Sequence, residues 1–189
     1  LGKSGNFSYG ETIMSALIYL DNSNLWIEGK KVSAVNKGLA LDVWDATATR
    51  TFDQAFKLDF GQALAIANNA PIKAARFYGS RPPEADSVWN AAQVAGFKLT
   101  ILDRNQRNKE KGVDSSMVAD IIEDLYNLAT PGDIFIIMAG DADYVPVIQK
   151  VQAKNYEVHV LFWDHAASEL KKAADNFLSL NGYLHQLQY

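Results

Sequence analysis

Residues 134–146 read IFIIMAGDADYVP, the most apolar run of the chain followed directly by Asp141 and Asp143. A short run of branched and aromatic residues that begins just after Pro131-Gly132 is typical of a buried strand. In open α/β sheets, ligands bind beyond the carboxyl ends of the strands, where both aspartates fall. Carboxylate oxygens are the hard ligands that Mg²⁺ and Mn²⁺ prefer. The stretch therefore predicts a strand that ends at a cation site.

Two further acids occupy similar positions. Asp21 follows the apolar stretch 13–20, and Asp114 opens a pattern in which apolar residues recur at helical spacing. Each acid also has a purely structural alternative. Asp114 would cap its helix, Asp21 would start an Asx-turn, and Asp141 would cap the helix that begins near Tyr144. The repetition of an acid after an apolar strand favours one shared metal site at the edge of a parallel sheet.

Asp120 lies on the same predicted helix as Asp114, about 120° around the helix axis from it. Its neighbours on that side are Glu123, Asp124 and Asn127, which together predict a solvated face. We therefore leave Asp120 out of the candidate site.

The chain alternates between strand-like and helix-like stretches. We predict strands near residues 14–20, 72–78, 97–102, 133–139 and 156–162, and helices near residues 53–69, 84–95, 114–129, 144–154 and 168–178. Short connections between alternating strands and helices favour a parallel sheet with helical crossovers. The stretch 30–52 fits neither pattern and predicts a hairpin or an irregular insertion.

Three motifs, in this order, resemble the NYN domain, in particular its LabA-like group within the PIN-like nuclease superfamily. They are LDNSN at residues 20–24, KGVD at 111–114 and GDADYVP at 140–146. The segment 167–177 also resembles the last helix of that group, so the resemblance spans roughly residues 14–180. The third motif beside the second is the specific part of the match, because an Asp-x-x-Asn sequence alone is common.

The resemblance implies an α/β protein with a three-layer α/β/α PIN-like fold around a central, mainly parallel sheet. We expect residues 1–189 to form a single domain with an irregular insertion near 27–52. The implied activity is metal-dependent hydrolysis of RNA phosphodiester bonds with Mg²⁺ or Mn²⁺ as cofactor. The implied roles are core metal-binding acids for Asp21, Asp114 and Asp141, a further ligand for Asp143 and a polar orienting residue for Asn24.

The sequence departs from the family pattern at three of these positions. Ala139 and Ala142 stand where relatives often carry serine, and Asn22 stands where glycine is common. Any contact from a serine hydroxyl at the first two positions is therefore missing.

Candidate contacts to the substrate come from a basic stretch and an aromatic residue. The net charge of −4 disfavours a broad nucleic-acid-binding surface, because phosphates are neutralised by clustered lysine and arginine. Positive charge is nevertheless concentrated just before Asp114, in Arg104, Arg107, Lys109 and Lys111. Trp26 follows the first motif, where a base of single-stranded RNA would stack on it. We therefore expect single-stranded RNA as the partner.

Composition sets limits on the class of protein. The chain has 189 residues, of which 48% are hydrophobic and 21% are charged, as in an ordinary globular domain. No apolar run approaches the roughly 20 residues of a membrane span, so we expect no membrane association. The absence of cysteine excludes disulfides and thiolate zinc sites and suits a reducing, cytoplasmic location. The sequence leaves a homodimer open.

Two other functions remain open at this point. The chain would bind RNA or a protein partner with little or no cleavage if the alanines at 139 and 142 weaken the site. Alternatively, Asp141-Ala142-Asp143 would hold Mn²⁺ and a nucleotide diphosphate in a nucleotide-sugar enzyme, although the motif at 111–114 disfavours this. A phosphatase that carries Asp-x-Asp after its first strand fits less well, because Asn22 and Ser23 follow Asp21.

Overall fold

A parallel β-sheet forms the centre of the protein. The computed structural model describes residues 14–67, 70–81, 86–103 and 112–189. Within these ranges the sheet has six strands in the order β3-β2-β1-β4-β5-β6, and all neighbouring strands are parallel. The strands are β1 (Ala16–Asp21), β2 (Ile72–Arg81), β3 (Lys98–Asp103), β4 (Ile134–Met138), β5 (Glu157–Phe162) and β6 (Asn176–Ser179).

Helices cover both faces of the sheet and create three layers. They are α1 (Asn22–Asn36), α2 (Val43–Thr49), α3 (Phe60–Ala67), α4 (Asp86–Ala95), α5 (Val113–Asn127), α6 (Val145–Gln152), α7 (Ser168–Ala173) and α8 (Leu184–Leu187). Alternate residues of β1 enter two separate cores: Ile18 packs with residues of α1, α3 and α4, and Leu17 packs with residues of α5 and α6. Because both faces are covered, every residue of β1 is buried. The predicted α/β/α fold is confirmed.

The strand order places a crevice between β1 and β4. From β1 the chain builds β2 and β3 on one side, and it then crosses through α5 to β4, which pairs with the other side of β1. The order of strands reverses at this point, and such a switch point is where ligands bind in open α/β sheets. Asp21 ends β1, Asp141 follows β4 and Asp114 lies in the first turn of α5, so all three acids belong to this crevice.

The stretch after Asp21 differs from the sequence-based expectation. Residues 22–36 form α1, a helix that we did not predict, and residues 43–49 form α2 within the stretch that we expected to be irregular. The buried side of α1 carries small or polar residues, among them Asn22, Ser23, Gly29 and Ser33. Helical periodicity of large apolar residues is therefore weak in α1, and the pattern that reveals a helix is missing.

Two predicted helices are shorter than expected. Only residues 60–67 of the predicted helix 53–69 are helical within the described residues, and the predicted helix 168–178 ends at Ala173. Asp175 explains the second change, because its carboxylate accepts from Val158 N at 2.8 Å and from Gln152 Nε2 at 3.1 Å. Its backbone N–H donates to the carbonyl oxygen of Val158 at 2.9 Å. These bonds guide the chain into β6, which pairs with β5.

The inner side of α5 carries acids that we expected to be solvated. Asp124 is 3% exposed, and its carboxylate accepts from Tyr19 Oη at 2.8 Å and Arg76 Nε at 2.7 Å. Asp120 accepts from Tyr78 Oη at 2.7 Å. The prediction of a solvated face is therefore wrong for these two acids, because polar groups of β1 and β2 meet them.

No helix in the described part of the chain is both long enough and apolar enough to cross a membrane.

Candidate active site

Asp21 is held at the end of β1 by the start of α1. Its side chain is buried, with 4% of the residue exposed. Oδ1 accepts from the backbone N–H of Asn24 at 3.1 Å and thereby caps α1. Oδ2 lies 3.1 Å from Tyr144 Oη. The structural alternative therefore accounts for one oxygen of this carboxylate, and the other oxygen contacts Tyr144.

Tyr144 joins two of the predicted acids. Its buried hydroxyl lies 2.9 Å from Asp114 Oδ1 and 3.1 Å from Asp21 Oδ2. Burial raises the pKa of Tyr144 above its ordinary value, and the neighbouring charges of Asp21 and Asp114 raise it further. The hydroxyl therefore keeps its proton and donates. It has a single proton for two carboxylates, so negative charge remains at this point.

Asp114 lies in the first turn of α5 without capping it. The residue at the N-cap position is Gly112, whose φ of 93° lies in a region that favours glycine. This turn brings the exposed Asp114 carboxylate to Tyr144. The capping alternative for Asp114 is wrong, whereas its predicted place in the first helical turn is confirmed.

The end of β4 is tied to α1 through Gly140. Its backbone N–H donates to Asn24 Oδ1 at 2.9 Å. A Cβ atom at position 140 would lie 2.1 Å from the Phe162 ring, so only glycine allows this close approach. Asp141 follows, exposed, and its Oδ1 accepts from Asp143 N at 3.1 Å and caps the 3-10 helix Ala142–Tyr144. Asn24 and Gly140 thus fix where Asp141 leaves the sheet.

These residues surround one acidic pocket of about 260 Å³. Four carboxylates line it, and no lysine or arginine is present among the described residues of its wall. Asp143 is exposed and is not part of that wall. The lining residues are Asp21, Ser23, Asn24, Ile27, Glu28, Gly112, Val113, Asp114 and Asp141.

Glu28 is a pocket residue that the sequence analysis missed. Partial burial alone would raise its pKa, but hydrogen bonds from His165 Nε2 and Lys31 Nζ, both at 2.7 Å, outweigh that effect and lower the pKa. Glu28 lies one helical turn beyond Asn24 on α1. That spacing would have found Glu28 if α1 had been recognised as a helix.

The geometry agrees with a comparison of sequence families, in which the NYN domain matches residues 22–181. The chain belongs to the NYN-domain family. NYN domains are part of the PIN-like nuclease superfamily, as the resemblance implied. Among solved structures, this NYN domain is similar to the crystal structure of a protein of unknown function from Vibrio parahaemolyticus. The two share 17% sequence identity with a TM-score of 0.63, covering 89% of this chain and 94% of that chain. No curated protein sequence matches.

The donor set of this NYN domain suits a hard divalent cation. Three aspartates and one glutamate present oxygen atoms to one pocket, and two of the aspartates already meet at the Tyr144 hydroxyl. Within the described ranges, however, no three His, Cys, Asp or Glu side chains are arranged to hold a metal ion. The carboxylates of Asp114 and Asp141 are exposed.

The predicted substrate contacts are not brought to the pocket by the described residues of the NYN domain. Trp26 is partly buried against the core, and Lys30 Nζ lies 3.7 Å from the centre of its ring. Trp26 is not part of the pocket wall. The four basic residues of the predicted phosphate-binding stretch lie outside the described residues: Arg104, Arg107, Lys109 and Lys111.

Proposed function

We propose that this NYN domain is a metal-dependent ribonuclease that hydrolyses RNA phosphodiester bonds at the acidic pocket. One observation carries the proposal: four carboxylates line the pocket, and no lysine, arginine or histidine is among the described residues of its wall. Such a concentration of negative charge is stable when a cation occupies it. NYN domains as a family are nuclease-like, which supports the choice of a phosphodiester as substrate.

In this proposal, the residues of the protein act by holding the metal ion and one another in position. Asp21, Asp114 and Asp141 would hold Mg²⁺ or Mn²⁺, with Asp143 beyond them as an outer acid. When bound, such an ion supplies Lewis-acid chemistry, which lowers the pKa of water and offsets charge on the phosphoryl oxygens. Tyr144 holds the carboxylates of Asp21 and Asp114 at one point, and Asn24 fixes the end of β4 through Gly140. Preorganised groups of this kind need no rearrangement during the reaction.

The basic stretch before Gly112 completes the proposal. Arg104, Arg107, Lys109 and Lys111 would bind phosphates on either side of the bond that is cleaved, because Gly112, the next residue, lines the pocket. The proposal needs no serine, cysteine or histidine nucleophile.

The test compares cleavage of a labelled single-stranded RNA in Mn²⁺, in Mg²⁺ and in EDTA. We expect metal-dependent cleavage by the unchanged protein and a loss of at least about 100-fold in Asp141→Asn, which removes a carboxylate charge from the pocket. Glu123→Gln is the matched control, because Glu123 is an exposed acid on α5 that does not line the pocket. Cleavage that survives both EDTA and Asp141→Asn would contradict the proposal.

Nucleic-acid binding without turnover is the second candidate. It is favoured by the absence of a ready three-ligand arrangement among the described acids. RNA binding without cleavage in any metal would support it. Membership of the NYN family disfavours the nucleotide-sugar alternative, which we do not pursue.

A further inference from the structure

A second cavity of about 380 Å³ borders the acidic pocket. The two cavities share Asn24, Glu28 and Asp141 in their walls, so a molecule bound at one can extend into the other. The volume falls within the ordinary range of small-molecule sites. We name this cavity the Trp44 groove, after the residue that forms its outer wall. Its lining residues are Asn24, Glu28, Lys31, Val43, Trp44, Thr47, Gly140, Asp141, Phe162, His165 and Ala167.

The indole of Trp44 is a large apolar surface that the protein leaves open. Trp44 is 69% exposed, whereas tryptophan is usually highly buried. The edge of the ring meets His165, with 6.4 Å between ring centres and 74° between ring planes. This contact supports the indole from one side and leaves much of its surface accessible.

Helix α2 holds the indole in place. Asp42 Oδ1 accepts from the backbone N–H groups of Trp44 and Asp45, both at 2.8 Å, and caps the helix. Asp45 Oδ2 accepts in return from Leu41 N at 2.9 Å, and Ala46 is fully buried against the protein. These contacts hold the backbone that carries Trp44 in place at the rim of the groove, which reduces the part of the chain that must be ordered when a ligand binds.

The charges of the groove differ from those of the acidic pocket. Lys31 and His165 line the groove and both contact the Glu28 carboxylate at 2.7 Å. Glu28 therefore has cationic or N–H partners on the groove side, whereas no basic residue faces it among the described walls of the acidic pocket. The phosphates beside a bound base therefore meet less electrostatic repulsion in the groove than they would in the acidic pocket.

We propose that the Trp44 groove binds a nucleobase of single-stranded RNA, next to the phosphodiester bond at the acidic pocket, by stacking on Trp44. The proposal rests on the proposed function, because the acidic pocket places the phosphate. Single-stranded nucleic acids offer free base faces that stack on aromatic side chains, whereas paired bases in a duplex are stacked on one another. The groove therefore gives this NYN domain a preference for single strands with little dependence on base identity.

The test measures RNA binding by fluorescence anisotropy in Mn²⁺, in an Asp141→Asn background that keeps the strand intact. We expect Trp44→Ala to weaken binding of a labelled single-stranded RNA about tenfold, in the range of stacking on one aromatic residue. Trp44→Phe should restore most of the affinity, because it keeps a ring. Binding of a duplex RNA should change less than twofold. Since Trp44 is exposed, the melting temperature should stay within about 2 °C of the parent protein.

Leu41→Ala is the matched control, because Leu41 is 89% exposed beside α2 and does not line the groove. Equal weakening by Leu41→Ala and Trp44→Ala would indicate a general apolar surface for a protein partner and overturn the proposal. Unchanged binding in Trp44→Ala, equal loss for duplex and single strand, or no single-strand binding by the parent protein would each overturn it as well.

Cleavage of a labelled abasic RNA strand in Mn²⁺ separates this proposal from the proposed function. This phosphodiester has no aromatic ring that could stack, so Trp44→Ala on the otherwise unchanged chain should keep the parent kcat/KM for it and lose kcat/KM for the RNA strand that carries bases. If the parent hydrolyses neither substrate, the nuclease proposal fails, and the binding measurements still decide whether Trp44 holds a base. If Trp44→Ala lowers both activities equally, the groove has no separate role in substrate binding.

Discussion

Two aspartates on α5, Asp124 and Asp114, each accept a hydrogen bond from a tyrosine, but the charges around them differ. Asp124 accepts from Tyr19 Oη at 2.8 Å, and Asp114 accepts from Tyr144 Oη at 2.9 Å. Arg76 also donates to Asp124, at 2.7 Å from Nε, whereas Asp114 shares its tyrosine with a second carboxylate, that of Asp21. The protein thus neutralises one acid with its own guanidinium and gathers further negative charge around the other. The first arrangement stabilises the fold, and the second is where we propose that a cation binds.

Stability measurements should give the largest contrast between the two acids. Asp124→Asn removes the carboxylate that accepts hydrogen bonds from the mostly buried Arg76 guanidinium and leaves it the more distant Asp120, 3.9 Å away, which should lower the free energy of unfolding by about 3–5 kcal/mol. Asp114→Asn removes an exposed charge that faces Asp21, so in EDTA it should leave stability unchanged or raise it slightly. Urea denaturation of both variants measures the difference. An equal loss of stability in both would show that Asp114 is a structural acid like Asp124.

Addition of Mn²⁺ should distinguish Asp114 from a structural acid on the same helix. At a Mn²⁺ concentration 100-fold above Kd, binding would stabilise the folded protein by about 2.7 kcal/mol. For a chain of this size, that corresponds to a rise in Tm of about 5–10 °C. Asp114→Asn should reduce the rise sharply, and Asp120→Asn, on the same helix, should retain it. A metal-dependent shift that is the same in both variants would place the cation elsewhere.

Removal of the tyrosine hydroxyls is the third comparison. Tyr144→Phe and Tyr78→Phe each delete a buried hydroxyl that donates to an aspartate, so each should cost about 1 kcal/mol of stability. Only Tyr144 orients the predicted metal-binding acids. RNA cleavage should therefore fall about 10- to 100-fold in Tyr144→Phe, as for other groups that orient metal ligands, and stay near the parent value in Tyr78→Phe. Equal activity in the two variants would remove Tyr144 from the site.

The pH dependence of unfolding should give the smallest effect. Asp133, just before β4, is paired with Lys73 and accepts from Thr130 N at 2.8 Å. Burial alone would raise its pKa, but the bonds from Lys73 and Thr130 outweigh it and lower the pKa below the ordinary 3.8. The resulting stability is complete above pH of about 3.8 and is lost as pH falls through the lowered pKa.

Denaturation of the parent and of Asp133→Asn between pH 2 and 6 tests this expectation. In that range, the free energy of unfolding should change less with pH in the variant. The difference in slope should correspond to the uptake of at most one proton on unfolding. Identical slopes would show that the Lys73 contact does not favour the ionised form of Asp133.

Much of the fold was predictable because the strands are apolar and their ends are marked. Five of the six strands in the described ranges lie where the sequence placed them, and the clearest are β1 and β4, which are buried on both faces and read as continuous apolar runs. Helix α1 was not predictable by periodicity, because its buried side has Asn22, Ser23 and Gly29 in place of large apolar residues. The strand β6 was hidden because Asp175 redirects the chain only through contacts with β5 and α6.

Three of the four acids that line the pocket were predictable from the sequence, whereas Glu28 and the contacts of Tyr144 were not. Asp21, Asp114 and Asp141 line one pocket, and each stands out in the sequence because it ends or follows an apolar strand or opens a helix. Tyr144 and Glu28 act through partners that are distant in the chain, Asp21 for the first and His165 for the second. Such contacts become visible only when the order of the strands is known. The assignment of the metal to these acids stays a prediction.

The placement of the pocket at the switch point has a consequence for biosynthesis. Its walls come from β1, from α1, from α5 and from the residues after β4, so Asp21 and Asp141 line one pocket although they lie 120 positions apart in the sequence. A nascent chain that has emerged from the ribosome only as far as β3 carries Asp21 without Asp114 and Asp141. The acidic pocket closes only after β4 has docked beside β1. Any cleavage that depends on this pocket is therefore absent until β4 has been synthesised and has paired with β1.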